Sequence, residues 1–254
     1  MTEPSFDLSG KVAVVTGGSR GIGRAIALGL ASYGADVVVA SRKQEDLDAV
    51  AGEIRKLGRR AAAVATHMRS REDIEKLVET TLEQFGKIDI LVNNAGTNPY
   101  FGPLLDIEER TWDQIMTVNL KGYFLLAQAV GRGMKEQGSG NIINVSSRGG
   151  KRASPGLGCY SISKAGVIML TQVLAQELGP YGIRVNAIAP AIVQTRFAEA
   201  LWANEEILAA NNQQTPLRRI AQAEEMAGVC VWLASDASSY VTGQTIVLDG
   251  GQSA

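Results

Sequence analysis

The feature that most constrains this chain is a series of short apolar runs separated by longer segments of helical spacing. The runs are VAVVTG (12–17), DVVVAS (36–41), AAAVAT (61–66), IDILVNNAG (88–96), NIINVSS (141–147), IRVNAIAP (183–190) and QTIVLDGG (244–251). Several are apolar at successive positions, so both faces of each strand need cover, as in a parallel sheet flanked by helices. Between them, RAIALGLASYG, EDIEKLVETTLEQFG and AEEMAGVCVWLAS repeat apolar residues at the helical period. The pattern predicts a doubly wound α/β sheet of about seven strands. No repeat, low-complexity stretch or Pro/Gly/Ser-rich linker divides the 254 residues, so residues 1–254 read as one domain. The main irregular insertion, IVQTRFAEALWANEEILAANNQQT at 192–215, has an amphipathic middle and is expected to be a mobile substrate lid.

Several function classes are excluded on composition. Net charge is −1 with the basic residues scattered, so no stripe offers itself to nucleic acid or an anionic membrane. The N-terminus MTEPSFDLSGK has an early acid and no apolar run, and no stretch reaches the ~18 apolar residues of a membrane span. Two cysteines, Cys159 and Cys230, make no disulfide framework and fit a reducing cytoplasm. No metal site is expected.

In doubly wound folds, ligands bind beyond the carboxyl ends of the strands, and the first run here ends in TGGSRGIG (16–23). Gly17, Gly21 and Gly23 permit a tight turn, bring amides toward a pyrophosphate and aim a helix N-terminus at its charge. The spacing is G-x-x-x-G-x-G, and residues 17–21 also fit the G-x-S-x-G elbow of serine hydrolases. That chemistry needs a histidine, and the chain's single one, His67, follows the third strand rather than standing as a triad partner. Likewise Ser161-Ile-Ser-Lys164 fits the S-x-x-K of acylating enzymes, but neither Ser-Asp-Asn nor Lys-Thr-Gly accompanies it.

Six motifs in order, TGGSRGIG, NNAG (93–96), Asn119 in TVNL, Ser147 in NVSS, YSISK (160–164) and PAIVQT (190–195), make the chain resemble the short-chain dehydrogenase/reductase family over essentially its whole length. The resemblance implies a Rossmann-like sheet, and a nicotinamide cofactor contacted by Gly17, Ser19, Arg20, Gly21, Ile22, Gly23, Ser41, Arg42, His67, Met68, Asn94, Ala95, Gly96, Tyr160, Lys164, Pro190, Val193 and Thr195. It implies Asn119, Ser147, Tyr160 and Lys164 as catalytic residues, with Asn119 holding a water in a proton relay through the lysine. Two positions depart from the usual pattern: His67 stands where many members carry Asp against the adenine, and Ala191 stands where many carry Gly.

The chemistry of these residue types agrees. Tyr160 and Lys164, four apart on a helix, share a face, and an ammonium beside a phenol favours phenolate, so a lowered tyrosine pKa is expected. The phenol then passes a proton to or from an oxygen while hydride moves at carbon, and the Ser147 hydroxyl stabilises the developing alkoxide. At the end of the second strand, NAD enzymes usually carry Asp or Glu; here Ser41 and Arg42, with Arg20 nearby in the glycine turn, favour the 2′-phosphate of NADP. The expected activity is NADP-dependent reduction of a carbonyl or oxidation of a secondary alcohol. A 3-oxoacyl thioester, a sugar acid and a broad range of carbonyls are the alternative substrates, and a non-catalytic dinucleotide sensor is the rival class. Arg148, Lys151 and Arg152 are cations close to the reacting carbon. An apolar terminal strand at the sheet edge and the family's habit together imply a homotetramer.

Overall fold

A computed structural model of the chain describes residues 5–254; residues 1–4 of the N-terminus discussed above lie outside it. Seven strands form one sheet: β1 Val12–Thr16, β2 Asp36–Ser41, β3 Ala61–Ala65, β4 Ile90–Asn93, β5 Gly140–Val145, β6 Ile183–Pro190 and β7 Thr245–Leu248. Their spatial order is β3-β2-β1-β4-β5-β6-β7 and every pairing is parallel. Each strand falls within the apolar run that predicts it except β5, which starts one residue earlier, at Gly140.

The register explains the uninterrupted apolar runs. Val14 pairs with Val38 on one side and Leu91 on the other, and all three pack into one core layer. Their neighbours Ala13, Val15, Val37 and Val39 pack into the opposite layer. Each strand therefore feeds two cores, and neither face tolerates a polar alternation. On one face lie α1 (Gly21–Ser32), α2 (Gln44–Lys56) and α9 (Ala227–Ala234), which bury Leu30, Leu47 and Val231. On the other lie α3 (Arg71–Phe85), α5 (Gly122–Gln137) and α6 (Gly158–Leu178), burying Leu77, Leu126 and Leu178. Local chemistry sets the helix ends: Ser70 caps α3 by accepting from the Asp73 amide, and the left-handed Gly86 stops it.

Sheet order reverses between β1 and β4, which places a crevice beyond Thr16 and Asn93, where a doubly wound sheet binds its ligand. Helix α4 (Glu109–Met116) runs into α5 through a π turn at Thr117–Lys121. The 192–215 insertion is not irregular throughout. It contains a 3₁₀ turn at Arg196–Ala198 and two short helices, α7 (Glu199–Trp202) and α8 (Glu205–Gln214), neither with a fully buried residue. β7 closes the chain at the sheet edge with its four residues half-buried. No helix among the described residues is long and apolar enough to cross a membrane.

Candidate active site

The glycine turn connects β1 to α1. Gly17 and Gly21 have φ of +65° and +53°, in the left-handed region that glycine alone adopts without strain. Gly23 answers a different demand: a Cβ there would run into the Gly17 carbonyl and the Asn94 side chain, so helix and turn approach only because it is absent. A Cβ on Gly21 would meet the Thr195 methyl at 3.1 Å, so the turn faces the loop after β6 across the crevice. The first turn of α1 holds no acid, and its N-cap Arg20 makes no side-chain capping bond. The uncompensated positive end of the helix is available to an anion. A narrow cradle, a bare helix end and no carboxylate at Ser41–Arg42 fit a dinucleotide bearing a pyrophosphate.

The remaining cofactor candidates ring the same crevice, in differing ways. Ser41 and Arg42 end β2, with Arg42 exposed. His67 follows β3, and burial first, then the charges of Arg69 and Arg42, push its imidazole down, so the Arg42 guanidinium and His67 stand near each other. His67 is held by its amide donating to Asp73 (2.8 Å) and by Nδ1 accepting from the Arg69 amide (3.2 Å). Met68 is buried, with both its carbonyl and its side chain packed against Gly122 at the start of α5. The Asn94 side chain donates to the carbonyls of Thr16 (2.8 Å) and Gly17 (3.3 Å), bracing the glycine turn. Thr16, which the sequence motifs did not single out, accepts at its hydroxyl from the amides of Asn94 (2.9 Å) and Ala95 (3.1 Å). Ile22 and Ala95 pack partly into the two core layers. Pro190 ends β6, buried Val193 bridges to Ala221, and Thr195 takes the Trp202 indole on its carbonyl at 2.9 Å.

The four catalytic candidates converge on the far side of the crevice. Strand alternation separates the two serines after β5. Ser146 is buried and donates to the Lys164 carbonyl at 2.8 Å, whereas Ser147 is half-buried; its hydroxyl accepts from the Gly149 amide at 3.1 Å and donates to the Pro190 carbonyl at 3.5 Å, close enough to the Tyr160 phenol to pull it down. Lys164 is only 2% exposed, and its Nζ donates to the Val145 carbonyl at 2.7 Å and the Tyr123 hydroxyl at 3.4 Å, lying 5.8 Å from the Tyr160 ring centroid. Asn119 sits in the π turn, a geometry frequent at functional sites. Its Oδ1 accepts from the Thr97 amide (2.8 Å), and its Nδ2 donates to the Thr97 carbonyl (3.0 Å) and the Ser163 hydroxyl (3.1 Å). Gly96 lies beside both: a Cβ there would be 3.7 Å from Asn119 Oδ1 and 3.9 Å from Lys164 Nζ.

The electrostatics correct one expectation. Burial pushes the Tyr160 phenol up to about 12, opposed by the neighbouring Ser147 hydroxyl, so the pull of the lysine is not enough to lower it below its ordinary value. Burial also pushes Lys164 down to about 7. Desolvation outweighs the attraction between the two groups, because the ammonium is directed at a carbonyl and stands beyond hydrogen-bond reach of the phenol. Of the three cations in the following turn, Arg148 is half-buried with its charge acting on Asp249, while Lys151 and Arg152 are exposed. Phe197, at the start of the insertion, tilts over Tyr160 with centroids 6.0 Å apart. Both cysteines are free and buried, and no metal-binding cluster occurs among the described residues.

Comparison with known proteins decides the family. The family profile described as enoyl-(acyl carrier protein) reductase matches residues 17–253. The rabbit (Oryctolagus cuniculus) protein named dehydrogenase/reductase SDR family member 4 is 42% identical over 247 residues, covering 96% of this chain and 94% of its own. The chain belongs to the short-chain dehydrogenase/reductase family. A short-chain type dehydrogenase/reductase from Mycobacterium marinum superposes with a TM-score of 0.91 at 37% identity, covering 97% of each chain. A gluconate 5-dehydrogenase from Burkholderia cenocepacia, solved with NADP and tartrate, gives 0.94 at 36% identity, covering 98% of this chain and 97% of its own. As a short-chain dehydrogenase/reductase, the protein is an NAD(P)-dependent oxidoreductase.

Proposed function

We propose that the enzyme transfers hydride between NADP(H) and a carbonyl or secondary alcohol, with Tyr160 as the proton donor and acceptor. The observation that carries this reading is the grouping of a phenol, a neighbouring serine hydroxyl and a buried lysine at one end of the crevice. When bound, the nicotinamide supplies or takes the hydride. Tyr160, held protonated by burial, is ready to donate to a carbonyl oxygen, and Ser147 adds a second donor to the charge developing there. Lys164, with a pKa of about 7, exchanges a proton readily at working pH, and its ammonium suits the hydroxyls of the nicotinamide ribose. Both amide atoms of Asn119 are committed to Thr97 and Ser163, so a relay water there would bind the main chain of the π turn.

Preference for NADP rests on Ser41 and Arg42 where a carboxylate would repel a 2′-phosphate, with Arg20 and His67 at the same end. Exposed Lys151 and Arg152 beside the reacting groups support a substrate bearing an anion, a description that a 3-oxoacyl thioester on a phosphorylated carrier and a sugar acid both meet. The insertion at 192–215, with Phe197 over the phenol, serves as the substrate lid of a single catalytic domain. The half-buried β7 edge, and exposed Phe124 on α5 with Met169 and Val173 on α6, support assembly as a homotetramer. The test is loss of NADPH absorbance with a panel of neutral ketones, 3-oxoacyl thioesters and keto-sugar acids. Tyr160→Phe is expected to bind NADPH as the wild type does and to lose about 100-fold or more in kcat; unchanged turnover would overturn the assignment.

A further inference from the structure

Helix α5 delivers a second phenol to the catalytic lysine. Tyr123 is fully buried and lies among the largest enclosed side chains of the protein. Its hydroxyl donates to the Val145 carbonyl at 3.3 Å and accepts from Lys164 Nζ at 3.4 Å, while the Lys164 ammonium lies 5.1 Å from the centre of the Tyr123 ring. The same Val145 carbonyl takes the principal hydrogen bond of Lys164 at 2.7 Å. Lysine, phenol and carbonyl thus form a closed triangle at the end of β5, immediately before Ser146 and Ser147. An apolar side chain would fill this volume equally well. A phenol adds an oxygen lone pair aimed at the ammonium and a ring face within the range at which a cation is attracted.

We propose that Tyr123 is a positioning residue that holds Lys164 in place and in its charged form, and so sets the pH at which Tyr160 exchanges its proton. The proposal rests on the reading of Tyr160 and Lys164 as the proton-handling pair. Besides the Val145 carbonyl, Tyr123 is the hydrogen-bond partner of the Lys164 ammonium among the described residues. The charged residues on elements packed against α6 are Arg148 in the turn after β5, Glu109, Arg110 and Asp113 on α4, Lys121 in the π turn, Arg132, Lys135 and Glu136 on α5 and Arg184 on β6. Among the described residues none of these, nor Glu177 on its own helix, forms an ion pair with Lys164, and the side-chain atom that meets its Nζ is the Tyr123 hydroxyl. Asn119 is neutral and committed elsewhere. Tyr123 itself stays protonated, its phenol pushed far up by burial and then by the neighbouring Tyr160, so it acts as a fixed dipole and not as a competing acid.

Tyr123→Phe keeps the ring and removes only the hydroxyl, while Tyr123→Leu removes both. With NADP and cyclohexanol as the probe alcohol, kcat/KM rises with pH as Tyr160 becomes able to accept a proton. The midpoint is expected to move upward by about half to one pH unit in Tyr123→Phe and further in Tyr123→Leu, because a less charged lysine favours the phenolate less. A second measurement needs no turnover: NADPH binding, followed by energy transfer from the tryptophans, is expected to weaken at a lower pH in Tyr123→Phe than in the wild type, by a similar interval. A lower Tm with both pH profiles superimposed on the wild type would leave Tyr123 a packing residue and overturn the proposal. Tyr160→Phe is measured alongside. Retained alcohol oxidation in that variant would defeat the underlying assignment, while the NADPH-binding profile would still decide the part played by Tyr123.

Discussion

Replacing Lys164 by Met is expected to stabilise the protein while removing its activity. Lys164 is buried, forms no ion pair among the described residues and is pushed from 10.5 to about 7, a gap of about 3.5 on the pH scale. At ~1.4 kcal/mol per unit, the buried ammonium costs at most about 5 kcal/mol. Its hydrogen bonds to Val145 and Tyr123 disappear with it, at about 1 kcal/mol each, although Tyr123 still donates to the Val145 carbonyl. Methionine has nearly the same length and no charge to desolvate. A net gain of about 1–3 kcal/mol remains, or roughly 2–10 °C in Tm for a chain of this size. The sign with pH follows from linkage. Below about pH 7 both folded and unfolded states hold the proton, and the folded state bears the whole cost. Between about 7 and 10.5 the unfolded chain binds more protons, so wild-type stability rises with pH through that window and the mutant lacks the rise. Scanning calorimetry of both proteins at pH 6 and pH 9 is the assay, with the larger difference expected at pH 6. A mutant less stable at pH 6, or a difference independent of pH, would refute the claim that burial dominates at this lysine.

Other perturbations test the crevice. Gly23→Ala places a methyl against the Gly17 carbonyl and the Asn94 amide, and is expected to weaken NADPH binding by more than about 10-fold with a smaller loss in Tm; unaltered affinity by titration calorimetry would show that the turn gives way. The wild type is expected to favour NADPH over NADH by about 10- to 100-fold in kcat/KM, and Ser41→Asp/Arg42→Ala to lose or reverse that preference. Equal use of both cofactors by the wild type would remove the case for a 2′-phosphate site. Charge reversal at Lys151 and Arg152 is expected to raise KM for anionic substrates and spare neutral ketones, and an equal effect on both would end the anionic-substrate reading.

The strands were legible because burial on both faces leaves an unbroken apolar run, and each run needs only local residues to be recognised. The glycine turn was legible for the same reason, since Gly17, Gly21 and Gly23 answer to backbone geometry within one segment. Contacts made across the sheet were not. Nothing near Tyr123 announces that it will meet Lys164, 41 residues later. Thr16 braces Asn94 from 78 residues away, and its role shows only once β1 and β4 are seen side by side. Within 192–215 the sequence showed an amphipathic middle but not two separate helices, because α7 and α8 are short and bury no residue fully, which leaves little periodicity to mark their ends. The raised Tyr160 phenol was not foreseen because helical spacing puts the two residues on one face but says nothing of the deep burial of Lys164 or of the direction in which its ammonium points.

Depth of burial also explains why chemistry and specificity occupy different parts of the site. Ser146 clamps the Lys164 carbonyl, and Gly150 lies so close to α6 that a Cβ would fall 2.7 Å from that same carbonyl. From the other side Asn119 holds Ser163, and an internal chain from Asn93 through Asn144 to Thr171 joins β4, β5 and α6 at 3.0 and 2.9 Å. These bonds fix the axial register of α6 against β5, and Tyr160, Lys164 and Ser147 take their positions from that register. Phe197, which tilts over Tyr160, and Lys151 and Arg152 in the turn after β5 are of another kind: all three are exposed and belong to turns. Substitution there changes what the crevice admits without disturbing the buried frame, so a change of substrate in this protein is expected to come from the 148–157 turn and the 192–215 insertion, with the α6–β5 frame retained.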